Sequence, residues 1–170
     1  MIVAALCLIT TYSGMAAQPR GGEEPPPAAL QIQASLFENA DACIKEHEGW
    51  HGNHLPYVGY GHKLLPGETF TPDMTEVQAD SLLRVDLMKL CRMCSRVGKD
   101  ALLVATLSYN VGYYRLVGYG KIPKSRLIQK LEAGDRNIYD EYISFRCYKG
   151  KVVPSIERRR KKEFRQLYIP

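Results

Sequence analysis

Residues 50–68 read WHGNHLPYVGYGHKLLPGE, and this stretch limits the fold more than any other part of the chain. Glycine, proline and aromatic residues crowd it, and segments of helical periodicity flank it on both sides. Gly and Pro punctuate secondary structure because one permits left-handed backbone and the other removes an amide donor. Tyr57-Val58-Gly59-Tyr60-Gly61 alternates like a short strand, and Pro66-Gly67 makes a turn. So short and broken a stretch has room for one small sheet. Helices must carry the core, and the expected class is α+β with helix dominant.

Upstream, residues 35–47 place Leu36, Phe37, Ala40, Cys43, Ile44 and His47 at three-to-four spacing, predicting a helix that Gly49 stops. Glu48 then falls in its last turn. Downstream, Thr75 with Gln78 three residues on forms a capping box, which satisfies two orphan amides at a helix start. Leu82, Leu83, Leu87, Leu90 and Cys94 carry that helix toward Arg96, before Gly98 breaks it. Another helix runs from Ala101 to a stop at Gly112. A third spans residues 125–133, with Gly134 at the left-handed cap position. Ile138, Tyr142 and Phe145 predict a fourth, and Ser155 caps a last helix running through Ile156, Phe164 and Leu167. The expected total is five or six helices and one small sheet.

A chain of 170 residues holds one domain with a leader. Residues 1–17 are uncharged and apolar and end in small side chains. Gly14 and Ala16 stand where a signal peptidase needs them, for a cut before Ala17. The segment reads as a cleaved export signal, with an uncleaved N-terminal anchor as the alternative, and it places the protein in the periplasm or cell envelope. Residues 18–34, with Pro25, Pro26 and Pro27, read as a spacer, leaving 35–170 for the domain. No apolar run reaches the roughly 18 residues that span a bilayer, so no membrane span is expected in the mature form.

Four cysteines lie in the domain, Cys43, Cys91, Cys94 and Cys147, an even number that an oxidising compartment permits to pair. Cys91-x-x-Cys94 has no second Cys/His pair at zinc-ligand spacing and reads as thiols on an apolar helix face. No metal or cofactor is expected. Lys and Arg total 23 against 18 Asp and Glu, a net charge of +5, which suits an anionic polymer. The run Arg158-Arg159-Arg160-Lys161-Lys162 points around most of a helix and reads mainly as a solvated face. It lacks any recognition motif, and nucleic acid is not expected as a partner.

Glu48 has two readings when taken alone. A carboxylate at a helix C-terminus faces the negative end of the macrodipole, a poor place for an anion. Beside Gly49, Trp50 and a glycine-rich sheet it would be partly desolvated, as suits a general acid. The other reading is a terminal glutamate in water.

The order of short motifs adds to this. Lys45-Glu46-His47-Glu48-Gly49 precedes Val58-Gly59-Tyr60-Gly61-His62, then Pro66-Gly67-Glu68 and the helix from Thr75 to Leu87. Tyr109-Asn110-Val111-Gly112 follows, then Lys130-Leu131-Glu132-Ala133-Gly134-Asp135. Last comes Gly150-Lys151-Val152-Val153-Pro154, leading into Arg158-Arg159-Arg160. In order and at compatible spacing over residues 40–168, these resemble the phage-type lysozyme family. The resemblance implies a lysozyme-like fold with a small, shortened sheet beside the catalytic helix. It implies cleavage of the β-1,4 bond between N-acetylmuramic acid and N-acetylglucosamine in peptidoglycan. Glu48 takes the place of the family's catalytic acid, and Tyr60, Gly61 and Asn110 fall on substrate-binding positions. His62 and Asp86 match a pair that joins sheet to second helix, read as structural. One of Arg158 or Arg159 is expected to turn inward toward Glu48. The domain also resembles lysozyme-like proteins of bacterial conjugative elements, which implies a conjugation or secretion apparatus as partner.

The chain departs from the family between the acid and the sheet. Members have a longer connection there with an Asp midway, whereas here residues 49–56 contain neither Asp nor Glu. Tyr57 stands where the family has Thr. The polar groups at hand are His51, Asn53, His54 and Tyr57, and a neutral His54 is the expected base for an attacking water. A single glutamate also suffices for a lytic transglycosylase, in which the muramic 6-hydroxyl replaces water. A catalytically silent peptidoglycan-binding protein is the further alternative.

Overall fold

The computed structural model describes residues 28–51, 55–71 and 73–170. The chain opens with α1 (Ala28–Glu48), followed by the hairpin strands β1 (Tyr57–Val58) and β2 (His62–Lys63). Next come α2 (Glu76–Met93), a 3₁₀ segment (Ser95–Asp100), α3 (Ala101–Val111) and α4 (Tyr113–Val117). Then follow α5 (Arg126–Glu132), α6 (Tyr139–Ile143), a second hairpin of β3 (Cys147–Tyr148) and β4 (Lys151–Val152), and α7 (Pro154–Leu167). Both hairpins are antiparallel and two-stranded, with Val58 opposite His62 in the first. The class is helix-dominant α+β.

Sequence composition decides which helix is central. Leu103, Val104, Ala105, Thr106, Leu107 and Ser108 are all buried, so α3 is enclosed on every side. A helix apolar all round belongs inside, since no face of it gains from water. The polar pair adapts by returning hydroxyl hydrogen bonds to the preceding turn: Thr106 to the Leu102 carbonyl at 2.9 Å, Ser108 to that of Val104 at 2.7 Å. Around α3 pack Ala40 and Ile44 of α1, Leu83 and Leu87 of α2, Leu116 of α4 and Leu167 of α7. Each fully buried aliphatic side chain contributes about 1.5–3 kcal/mol of transfer free energy. The last turns of α1 and α3 thereby meet α7 at one end of this core.

The helix signals map closely onto the observed ends. Thr75 caps α2, its Oγ1 accepting from the Gln78 amide at 3.2 Å while Gln78 Oε1 accepts from the Thr75 amide at 2.8 Å. At the end of α1, Gly49 takes φ +71°, which lets the chain leave the helix sharply toward the first hairpin.

Several expectations need correction. α1 starts at Ala28, so residues 28–34 of the expected spacer are helical rather than extended, in keeping with the strong helix formers Ala28, Ala29, Leu30 and Gln31. α7 begins at Pro154 in its first turn, not after a Ser155 cap, because proline's fixed φ suits a position whose amide needs no partner. A second hairpin and the short α4 went unpredicted, as two-residue strands and a five-residue helix carry no periodicity. The four domain cysteines are free thiols; Cys43 and Cys94 are buried, Cys91 is half-buried and Cys147 is exposed. Burial pushes the Cys43 and Cys91 thiols up to about 11. The 1–17 leader, residues 18–27 of the spacer, Asn53 and His54 lie outside the described residues.

Candidate active site

The site begins with a local device. α1 ends at Glu48, Gly49 turns the chain, and the His51 amide donates to the Gly59 carbonyl at 2.8 Å. The chain after the helix is thereby tied to the turn of the first hairpin. That turn is closed by the Gly61 amide donating to the Val58 carbonyl at 3.1 Å. The hairpin is held above α3 by the Tyr109 hydroxyl, which donates to the Tyr60 carbonyl at 3.0 Å.

Glu48 lies between hairpin and helices, its side chain 20% exposed. Its Oε1 accepts from Arg159 Nη1 at 2.7 Å and from Asn110 Nδ2 at 3.1 Å. Its Oε2 faces the hairpin: a methyl group placed on Gly61 would sit 3.9 Å from Oε2 and 3.8 Å from the His51 ring. Gly61 has φ +94°, a backbone state that side-chain-bearing residues avoid, so the position favours glycine for its conformation, while a Cβ there would make only ordinary contacts. The niche is therefore hydrogen-bonded on its Oε1 side and bordered by Gly61 and the His51 ring on its Oε2 side.

Behind Oε1 the contacts close into a circuit. Arg159 Nε donates to Glu163 Oε1 at 2.8 Å, and Arg160 Nη1 donates to Glu163 Oε2 at 2.5 Å. Arg160 Nη2 donates to Asn110 Oδ1 at 2.5 Å, returning the path to the amide that holds Glu48. Tyr142 donates from below to Glu163 Oε2 at 2.9 Å. Two arginines thus balance two glutamates, with one neutral amide closing the ring. Arg160 and Glu163 are fully buried, as a charge can be only when partnered. Burial works against the charge on Arg159, but Glu163 and Glu48 outweigh it and hold the guanidinium more firmly charged than usual. Arg159 Nη2 and Arg160 Nε meet no partner among the described residues, a desolvation cost that the paired atoms offset.

A second cluster fixes the hairpin to α2. His62 Nδ1 bonds Asp86 Oδ2 at 2.6 Å, and its Nε2 bonds Glu68 Oε2 at 2.9 Å. Glu68 also accepts from the Leu65 amide at 2.7 Å. Burial alone would lower the His62 pKa, but the hydrogen bonds from Glu68 and Asp86 prevail and raise it.

The structure brings Glu48, Gly61 and Asn110 together and pairs His62 with Asp86, as the motifs imply. Tyr60 is mostly buried, its hydroxyl donates to Glu76 at 3.2 Å, and with Trp50 and Glu76 it lines a surface pocket beside the hairpin. Tyr57 is exposed, its ring tilted 6.2 Å from that of His51. Of the basic run, Arg159 turns inward as expected, but Arg160 does so too, against its reading as solvated. Glu163 and Tyr142 were missed as members of the site. The available signal was spacing, since Glu163 follows Arg159 by four residues and Arg160 by three on one helix.

A carboxyl at the end of a helix, with a glycine-rich hairpin before it and charged helices behind, belongs to the lysozyme-like class of α+β domains. The sequence matches the phage lysozyme family over residues 45–163, and the chain belongs to that family. The matched span opens three residues before Glu48 and closes on Glu163, so it contains the carboxyl and the whole circuit behind it. Membership implies peptidoglycan cleavage and therefore action outside the cytoplasmic membrane. A search of curated proteins finds no match to the chain.

Proposed function

We propose that this protein is a muramidase that hydrolyses the β-1,4 bond between N-acetylmuramic acid and N-acetylglucosamine, with Glu48 as general acid. One observation carries the reading: the two oxygens of this carboxyl have different surroundings. Oε1 already accepts from a guanidinium and an amide, whereas Oε2 is turned to the hairpin side. A proton on Oε2 can pass to the bridging glycosidic oxygen as its bond to C1 breaks. Asn110 and Gly61 border the place where that oxygen would sit, and Tyr57 stands at the rim.

Residues 1–17 would export the chain to the periplasm or envelope, and residues 18–27 would space it from the leader. Among the described residues, no helix is long and apolar enough to cross a membrane. Local opening of the wall for a conjugation or secretion channel suits a small domain of this kind.

Muropeptide release from purified peptidoglycan tests the proposal. Glu48→Gln should lower the rate by about 10²–10⁴-fold. Wall binding without release by parent or variant would instead identify a silent binding protein. A second reading, lytic transglycosylase, is favoured by the lack of Asp and Glu in residues 49–56. Mass spectrometry separates the two, because a hydrolase leaves reducing ends and a transglycosylase leaves anhydro ends lighter by one water.

A further inference from the structure

Between Asp100 and Glu132 the chain has no acidic residue and five basic ones, Arg115, Lys121, Lys124, Arg126 and Lys130. Tyr113, Tyr114 and Tyr119 fall in the same stretch. We propose that residues 113–122 form a docking surface for peptidoglycan strands whose stem peptides keep free carboxylates. The inference rests on the proposed muramidase activity and adds a strand-holding surface to it.

Backbone contacts make this surface a fixed tongue. Gly112, at φ +89°, turns the chain out of α3 into α4. The Gly118 amide closes α4 by donating to the Tyr114 carbonyl at 3.0 Å. Tyr119 and Ile122 then exchange amide-to-carbonyl bonds at 3.0 and 2.9 Å, and the Ser125 amide donates back to the Leu116 carbonyl at 2.9 Å. A Cβ on Gly118 would lie 2.8 Å from the Lys124 nitrogen and 3.0 Å from the Ile122 oxygen. The two arms of the tongue therefore touch through a residue that has no side chain. Leu116, fully buried, anchors the tongue in the core.

What the tongue presents is aromatic and cationic. Tyr119 is 71% exposed, Tyr114 54% and Ile122 48%. The rings of Tyr114 and Tyr119 lie 5.0 Å apart, tilted by 47°. Tyr113 stands 5.4 Å from Tyr114, and its hydroxyl donates to the Met93 carbonyl at 3.1 Å. A pyranose has apolar C–H faces and polar hydroxyl edges, which the ring and the hydroxyl of tyrosine match in turn. Several of the cations are already engaged. Lys124 pairs with Glu132 at 2.5 Å, Lys130 with Asp135 and Glu141, and Arg126 shares a cavity with Asp140 and Glu141. Arg115 and Lys121 are exposed and meet no acidic partner among the described residues. Their charge is left for an outside anion, and stem peptides carry carboxylates beside the muramic rings. The position agrees: Tyr113 follows Asn110, whose amide holds Glu48, by three residues. Their Cα atoms therefore lie within about 11 Å of each other.

The test uses the whole chain carrying Glu48→Gln, so that binding is read without cleavage, in co-sedimentation with purified sacculi. Tyr119→Ala, and Arg115→Glu combined with Lys121→Glu, are each added to it; all three positions are exposed, and melting curves verify the fold. Each change should weaken sacculus binding by about five- to tenfold. Sacculi whose carboxyls are converted to amides should bind the unreversed chain as weakly as native sacculi bind the charge-reversed one. Tyr119→Ala should lose affinity on both kinds of wall. With Glu48 in place, the same changes should raise KM and leave kcat little altered, as loss of uniform binding requires. Unchanged sacculus binding in both variants would overturn the proposal and leave muramidase activity standing. Loss of binding only to vesicles of phosphatidylglycerol and phosphatidylethanolamine in equal parts would overturn it in favour of a membrane. No muropeptide release by the parent would remove the muramidase reading, while sacculus binding would still decide for or against this surface.

Discussion

The two sides of Glu48 are built on opposite terms. Behind it, α3, α6 and α7 contribute Asn110, Tyr142, Arg159, Arg160 and Glu163, all joined by hydrogen bonds and, apart from the exposed Asn110, buried. Before it, a short connection and a two-stranded hairpin present Trp50, His51, Leu55 and Tyr57, three of them exposed. The rear side spends all its contacts on holding one oxygen still. The front side leaves the other oxygen accessible and brings few polar groups near it. A general acid needs both, since an oxygen committed to a guanidinium cannot also hand a proton to a sugar. With Glu48 as the proposed general acid, orientation falls to the rear and chemistry to the front.

That contrast can be broken most severely from the rear. Glu163→Gln leaves two buried arginines without their shared carboxylate, and destabilisation of about 3–5 kcal/mol is expected in urea unfolding. Since Arg159 also loses its anchor, muropeptide release should fall with it. An unchanged midpoint would mean that the circuit carries no strength. The hairpin's tie to α2 comes next. His62→Gln should cost about 1.5–3 kcal/mol, the range for hydrogen bonds to charged groups. Its pH dependence follows from the direction of the shift. Because the folded-state pKa is raised above the ordinary 6.5, the pair's contribution is fully present below about pH 6.5 and declines as pH rises through the folded value. The parent's stability advantage over His62→Gln should therefore shrink on the alkaline side, as melting temperatures across pH would show. The smallest effect belongs to the front. Trp50 is 46% exposed and touches Tyr60 only edge-on, at 5.6 Å. Trp50→Phe should move stability by less than about 0.5 kcal/mol, and a larger change would show the front to be structural as well.

These regions also differ in how far the amino-acid sequence reveals them. Thr75 with Gln78, and Gly49, act on their immediate neighbours, so their spacing was enough to place a helix start and a helix stop, whereas residues 57–61, read as one strand, fold as a two-residue strand and the turn of a hairpin. The pairing of His62 with Asp86 was accessible only through the family's motif order. Arg160 could not be read at all, because a run of five basic residues looks alike from every side of a helix.

By itself the sequence determined the class of fold, the helix that ends in Glu48 and the family to which the chain belongs. These follow from periodicity, caps and motif order, all of which are short-range properties of the chain. Only the tertiary structure decided that residues 48, 110, 159, 160 and 163 meet, and that the Glu48 carboxyl lies beside Gly61. Such meetings depend on how helices far apart in sequence pack around α3. Packing is set by the shape of the whole core, and no local pattern encodes it.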